Sequence, residues 1–119
     1  GLRMGVEALT QNGVALKEIR LTGGGSKSAS WRQMVADICN TPVVVTKPDE
    51  GAAFGSALQG LYIYQRQGKQ ASSIADLAAQ HVVVDHSSTC QPIAANIEAY
   101  EAIYQQYKSA VTALADYYQ

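Results

Sequence analysis

The sequence predicts an α/β fold, a small sheet flanked by helices. Three observations predict it. Short β-branched stretches alternate with stretches of helical period. Three consecutive glycines, Gly23-Gly24-Gly25, stand where the first of these strands hands over to a helix. The 119 residues are 47% hydrophobic and 16% charged, which suits one packed core in one domain spanning 1–119 and argues against disorder.

The elements follow in chain order. Leu2, Val6 and Leu9 recur at helical spacing, and Asn12-Gly13 is a stop signal. No capping residue precedes this pattern, which already runs at Gly1, so the chain is expected to be a fragment that starts within a helix. Ile19-Arg20-Leu21-Thr22 alternates apolar and polar residues and reads as a strand. Beyond the glycines, Trp31, Met34, Val35 and Ile38 form the stripe of an amphipathic helix, which Ser28 or Ser30 can cap and Asn40 can end. Pro42-Val43-Val44-Val45-Thr46 is a β-branched run, expected as a strand buried on both faces.

Lys47-Pro48-Asp49-Glu50-Gly51 reads as a turn. A helix from Ala52 to Gln67 follows, closed by Gly68. On it Ala53, Ser56, Ala57 and Gly60 are small enough for another backbone to approach closely. Ser73 and Asp76 fit the reciprocal cap of a short helix through Ala79. Val82-Val83-Val84 reads as a small strand, and His86 to Gln91 as a polar loop. After Pro92 a long helix carries Ile97, Tyr100, Tyr104, Tyr107, Val111 and Leu114 in one stripe.

The segment that carries chemistry is Thr22-Gly23-Gly24-Gly25-Ser26-Lys27-Ser28. A helix N-terminus presents unpaired N–H groups and the positive end of the helix dipole. Glycines before it remove Cβ atoms, so a flat or charged ligand can reach the backbone. The pattern suits a nucleotide, yet it is neither of two familiar phosphate motifs. A P-loop needs glycine before its lysine, and here Ser26 precedes Lys27. In G-x-G-x-x-G the third glycine would fall where Ser28 stands. A glycine turn between strand and helix also arises for geometric reasons alone, so the triplet by itself leaves ligand binding open.

The wider pattern narrows the choice. The Thr22–Ser28 segment, Trp31-Arg32-Gln33-Met34 with Ala36-Asp37-Ile38, the strand from Pro42, Glu50-Gly51-Ala52-Ala53-Phe54-Gly55-Ser56-Ala57, and the tail from Ala99 to Tyr107 together resemble the C-terminal domain of the FGGY carbohydrate kinases. Within that family they look most like the enzymes that act on xylulose. The resemblance implies a ribonuclease-H-like, actin-like ATPase architecture, in which two domains close over a cleft. It implies that this chain holds ATP, that a missing N-terminal domain holds the sugar, and that the γ-phosphate passes to a sugar hydroxyl, D-xylulose giving D-xylulose 5-phosphate. By the same resemblance Gly24, Gly25 and Ser28 line the adenine and ribose, and Gly23 supports the turn. Some relatives carry asparagine where Ser28 stands. Mg²⁺ would bridge the phosphates, its ligands lying outside this chain. The aspartate that serves such kinases as general base also lies outside it, so the chain alone is expected to be inactive.

Other residues have plainer readings. Asp37 is expected on a polar face or behind the site rather than in catalysis. Glu50 suits a helix start by its charge. His81 and His86 lack partners at metal spacing. Trp31 is expected in the core or as a lid, with stacking on adenine as the alternative. Cys39 reads as a small buried hydrophobe, and the tyrosines of the last helix as packing, with a homodimer contact second.

Composition excludes several classes. A net charge of −1 gives no broad attraction to nucleic acid or anionic membrane. No apolar run approaches the roughly 20 residues of a membrane span. The first residues show no apolar core of a secretory leader, and the two cysteines make no disulfide framework, so a cytoplasmic protein is expected. Two other functions compete. A Rossmann-type dinucleotide or methyl-donor domain would want an acidic residue about 20 positions beyond the glycines; Asp49 or Glu50 stands near there, but Pro48 intervenes. A non-catalytic assembly module would use the small-residue and tyrosine faces and bind no ligand.

Overall fold

A computed structural model describes residues 1–47, 51–68, 72–115 and 117. The element order is α1 (Leu2–Gln11), β1 (Ile19–Leu21), a 3₁₀ turn (Gly24–Lys27), α2 (Ala29–Cys39), β2 (Val43–Lys47), α3 (Gly51–Gln67), α4 (Ile74–His81), β3 (Val83–Cys90) and α5 (Ala94–Ala115). The three strands form one sheet in the order β1-β2-β3. β1 and β2 run parallel, Ile19 opposite Val43 and Leu21 opposite Val45, while β3 is antiparallel to β2. The predicted small sheet flanked by helices is therefore present.

Local sequence signals placed several boundaries. Ser28 caps α2 by accepting a hydrogen bond from Trp31 N–H at 3.2 Å, and Asn40 ends it in the left-handed region at φ 45°. Ser73 and Asp76 form a reciprocal capping box, and α4 runs two residues past the expected end, to His81. Asn12 and Gly13 end α1, with Gly13 at φ 84°. Of the expected turn from Lys47 to Gly51, Lys47 closes β2 and Gly51 opens α3, and 48–50 lie outside the described residues.

The core lies between α2 and the sheet. Val35, Ala36, Cys39 and Val43 are buried together, with Val6, Ile19, Leu21, Ile38 and Cys90 packed against them. Val44, pointing to the opposite face of the pleat, is also buried, so β2 is covered on both sides as expected. A satellite contact joins α3 and α4, whose buried residues are Leu58 and Leu77.

Three expectations need correction. His86 to Cys90 is not a loop: β3 runs from Val83 to Cys90. The register passes from Val45↔Asp85 to Val43↔Cys90, so His86 to Thr89 bulge out opposite Val44 alone. Asp85 Oδ1 accepts from the backbone N–H and hydroxyl of Ser87, Ser88 Oγ donates to the Asp85 carbonyl, and Thr89 Oγ1 to that of His86. Polar side chains thus satisfy a bulge whose composition hides the strand. The second correction concerns the α2 stripe. Val35 is buried, but Trp31 and Met34 are exposed, so the buried side is turned toward Ala36, Asp37 and Cys39. The third concerns α5, where Tyr104 alone of the expected stripe is buried.

Asp37 explains the rotation of α2. It is buried and accepts from Gln33 Nε2 at 2.8 Å, Ile93 N–H at 2.8 Å and Asn96 Nδ2 at 2.7 Å. The carboxylate stands at the start of α5, where negative charge is favoured. Burial alone would raise its pKa; the bonds from Asn96, Ile93 and Gln33 outweigh that and hold it below 3.8. A second tie joins α1 to α5. Arg3 pairs with Glu101 and lies 4.1 Å from the Tyr104 ring centroid, and Tyr104 Oη donates to Glu7 Oε2 at 2.7 Å.

Candidate functional site

The glycine turn begins where β1 ends. Gly23 sits at φ 80°, ψ −168°, a conformation essentially closed to residues with a Cβ. It redirects the chain into the 3₁₀ turn, which is stitched by Ser26 Oγ donating to the Gly23 carbonyl at 2.7 Å and Ser28 N–H donating to the Gly25 carbonyl at 3.2 Å. Arg32 Nη1 donates to the Ser26 carbonyl at 2.7 Å and anchors the turn from the first part of α2. Ser26 is buried by this arrangement.

A second element arrives beside it. Gly51 N–H, at the start of α3, donates to Thr22 Oγ1 at 3.2 Å. A Cβ on Gly51 would lie 2.8 Å from Thr22 Cγ2, so glycine is what permits this approach. Between the two lies an open cavity of about 540 Å³, lined by Thr22, Gly23, Gly24, Lys27 and the first turn of α3, Gly51 to Ala53. It lies beyond the carboxyl ends of the parallel strands β1 and β2, the usual position of ligand crevices in open α/β sheets. The start of α3 sets the positive end of a helix dipole at its wall.

The expected site residues separate. Gly23 and Gly24 line the cavity, and a Cβ at Gly24 would meet nothing within 4 Å. Gly25 turns away from it: a Cβ there would stand 3.1 Å from Trp31 Cδ1 and Nε1. Ser28 does not line the cavity, and its hydroxyl oxygen is engaged as the α2 cap. Sequence reasoning did not anticipate Thr22 and Gly51 as a pair. The signal available was a glycine at the first position of the third helix, where Ser, Thr, Asp or Asn nearby would otherwise serve as caps.

A second hollow, of about 490 Å³, lies on the other side of the turn, lined by Ser26, Lys27, Arg32, Val45 to Lys47, Asp85 and Ser88. Lys47 Nζ pairs with Asp85 at 2.8 Å, and hydrogen bonds from Lys47 and Ser87 lower the Asp85 pKa to about 2. Among the described residues, no three His, Cys, Asp or Glu side chains come together as a metal site. No helix among them is long and apolar enough to cross a membrane. The antiparallel β3 departs from the parallel sheet a Rossmann domain requires, and the residues 48–50 that include its candidate acidic group lie outside the described ones.

Comparison with known proteins gives the family of the chain. Residues 1–64 match the model of the FGGY family of carbohydrate kinases, C-terminal domain. A xylulose kinase of Haemophilus influenzae is 32% identical over 113 residues, 95% of this chain and 22% of that protein. A ribulokinase of Geobacillus thermodenitrificans is 29% identical over 119 residues, 99% of this chain and 20% of that protein. The chain thus spans about a fifth of the length of these relatives. The crystal structure of a xylulose kinase from Lactobacillus acidophilus superposes with a TM-score of 0.66 at 23% identity, covering 82% of this chain and 19% of that one, and so shares the fold. On the match of its first 64 residues, the chain belongs to the FGGY family of carbohydrate kinases and corresponds to that family's C-terminal domain.

Proposed function

We propose that this chain is the nucleotide-binding part of an ATP-dependent sugar kinase, and that the cavity beside Gly23 and Gly24 takes the adenosine of ATP. The observation that carries the reading is the open cavity itself. Two backbones without side chains, at Gly23-Gly24 and at Gly51, leave a slot beyond the sheet that a flat base can enter. The first turn of α3 borders the slot with the positive end of its dipole, and Lys27 stands at its edge. Gly25 and Ser28 belong to the same site through the turn they shape, Ser28 by fixing the start of α2. Mg²⁺ would arrive on the ATP phosphates with its protein ligands outside this chain. Asp37 is committed to α5, so the base that accepts the sugar proton is assigned to the part of the protein beyond this chain.

The sugar is proposed to be D-xylulose, on the likeness to xylulose kinases, with the whole protein transferring the γ-phosphate to it in the cytoplasm. Calorimetric titration tests the reading on this chain. ATP–Mg²⁺ is expected to bind saturably and NAD not at all. Binding of neither would favour an assembly module. Gly24→Val is expected to abolish ATP binding and leave the circular dichroism spectrum and melting temperature unchanged, because Gly24 opens onto free space. Equal affinity in that variant would remove the glycine assignment. In the intact protein, kcat/KM measured for D-xylulose, L-ribulose and gluconate is expected to be highest for D-xylulose.

A further inference from the structure

The glycine turn is gripped from α2 by two consecutive residues. On one side the Trp31 indole covers Gly25, with Cδ1 and Nε1 each 3.1 Å from where a Cβ would stand. On the other, Arg32 Nη1 holds the Ser26 carbonyl at 2.7 Å. Both residues lie in the first turn that the Ser28 cap stabilises, and Ser28 itself receives the Trp31 N–H. Trp31 does not line the cavity beside Gly23 and Gly24. It lines instead a groove on the far side, with Leu2, Met34, Ile38, Tyr100 and Tyr107. Its ring is therefore placed to press on the turn from behind, and a base in the cavity would not reach it.

We infer that Trp31 is a positioning residue for the nucleotide: its indole, seated on Gly25, holds the turn so that Gly23 and Gly24 face the cavity. The inference rests on the nucleotide reading above. It also gives Gly25 a reason distinct from that of its neighbours. Gly23 is required by its φ, Gly24 by the ligand, and Gly25 by the tryptophan.

The test is a double-mutant cycle on this chain, read as the dissociation constant for ATP–Mg²⁺. Gly25→Ala obliges the ring or the turn to shift by a few tenths of an ångström and is expected to weaken binding about tenfold, a typical coupling for residues in contact. Trp31→Ala is expected to weaken it by a similar factor, and Trp31→Phe, which keeps a flat ring on Gly25, to restore most of it. In the Trp31→Ala background, Gly25→Ala is expected to have no further effect, because the clash has lost its partner. Trp31 is the chain's one tryptophan, so its fluorescence reports on it alone. Acrylamide quenching is expected to be the same with and without ATP, since the base does not cover the ring.

Outcomes separate cleanly. If the parent chain binds no ATP, the nucleotide reading falls and this inference with it. If the parent binds but Trp31→Ala binds as tightly, positioning by Trp31 alone is wrong. If the effects of Gly25→Ala and Trp31→Ala simply add, and ATP shields the indole from acrylamide, Trp31 stacks on the base directly and the inference is overturned. Gly25→Ala and Trp31→Phe both retain an aromatic ring, so if Trp31→Ala fails to fold the test rests on these two: weaker binding in the first with near-parent affinity in the second supports the inference, and parent affinity in Gly25→Ala overturns it.

Discussion

Each glycine of the turn answers to a different force, and the difference can be measured. Gly23 adopts φ 80° with an extended ψ, a region that costs a residue with a Cβ about 1–3 kcal/mol. Gly23→Ala is therefore expected to lower the free energy of unfolding by about that amount in urea denaturation, with no steric contact to blame, since nothing lies within 4 Å of the added methyl. An unchanged denaturation midpoint would mean that the turn rearranges freely. That glycines were needed here was legible in the sequence, because their place between a strand and a helix is a local fact. Which one faces the cavity was not legible. That depends on Trp31, whose side chain covers Gly25 through a contact that sequence spacing does not encode.

Among the elements, α5 is joined to α2 through one carboxylate. Removing Asp37 leaves the Ile93 N–H and the Asn96 amide without their acceptor, which costs roughly 3 kcal/mol for partly buried donors. Asp37→Ala is expected to speed amide hydrogen exchange in the first turns of α5 before it affects the sheet. The sign of the pH effect follows from its depressed pKa. An acid whose folded pKa lies below its unfolded value contributes stability above the unfolded value and loses it as pH falls through the folded one. Stability is thus expected to be flat near neutrality and to fall below about pH 4, and Asp37→Asn is expected to flatten part of that decline. Asp85, at about 2, loses its contribution over the same acid range. The sequence revealed both helices by their period. It hid the latch because its partners stand 56 and 59 residues apart. It hid most of β3 for another reason: the segment has neither alternation nor β-branched bulk at His86 to Ser88, and its strand geometry comes from pairing with β2.

At the scale of the molecule the chain is extended. Its radius of gyration is 18.2 Å, against about 13.5 Å for a compact domain of this length. α3 and α4 pack on each other, and large apolar side chains remain exposed on α3 (Ile63, Tyr64) and α5 (Ile103, Leu114). Such surface drives association in water. Size-exclusion chromatography is expected to show mass rising with concentration, and the Ile103→Glu, Leu114→Glu double variant to stay monomeric; a monomer at all concentrations would contradict this. The helical stripes told which sides were apolar, and the structure shows that much of α5's stripe is uncovered among the described residues.

The most direct test of a nucleoside slot between the glycine turn and α3 is a map of amide shifts in a ¹H–¹⁵N spectrum of this chain on adding ATP–Mg²⁺. Shifts are expected at Thr22 to Lys27 and at Gly51 to Ala53, the two walls of the cavity. Shifts confined to Lys47, Asp85 and Ser88 around the neighbouring hollow, or no shifts at saturating ATP, would contradict the assignment.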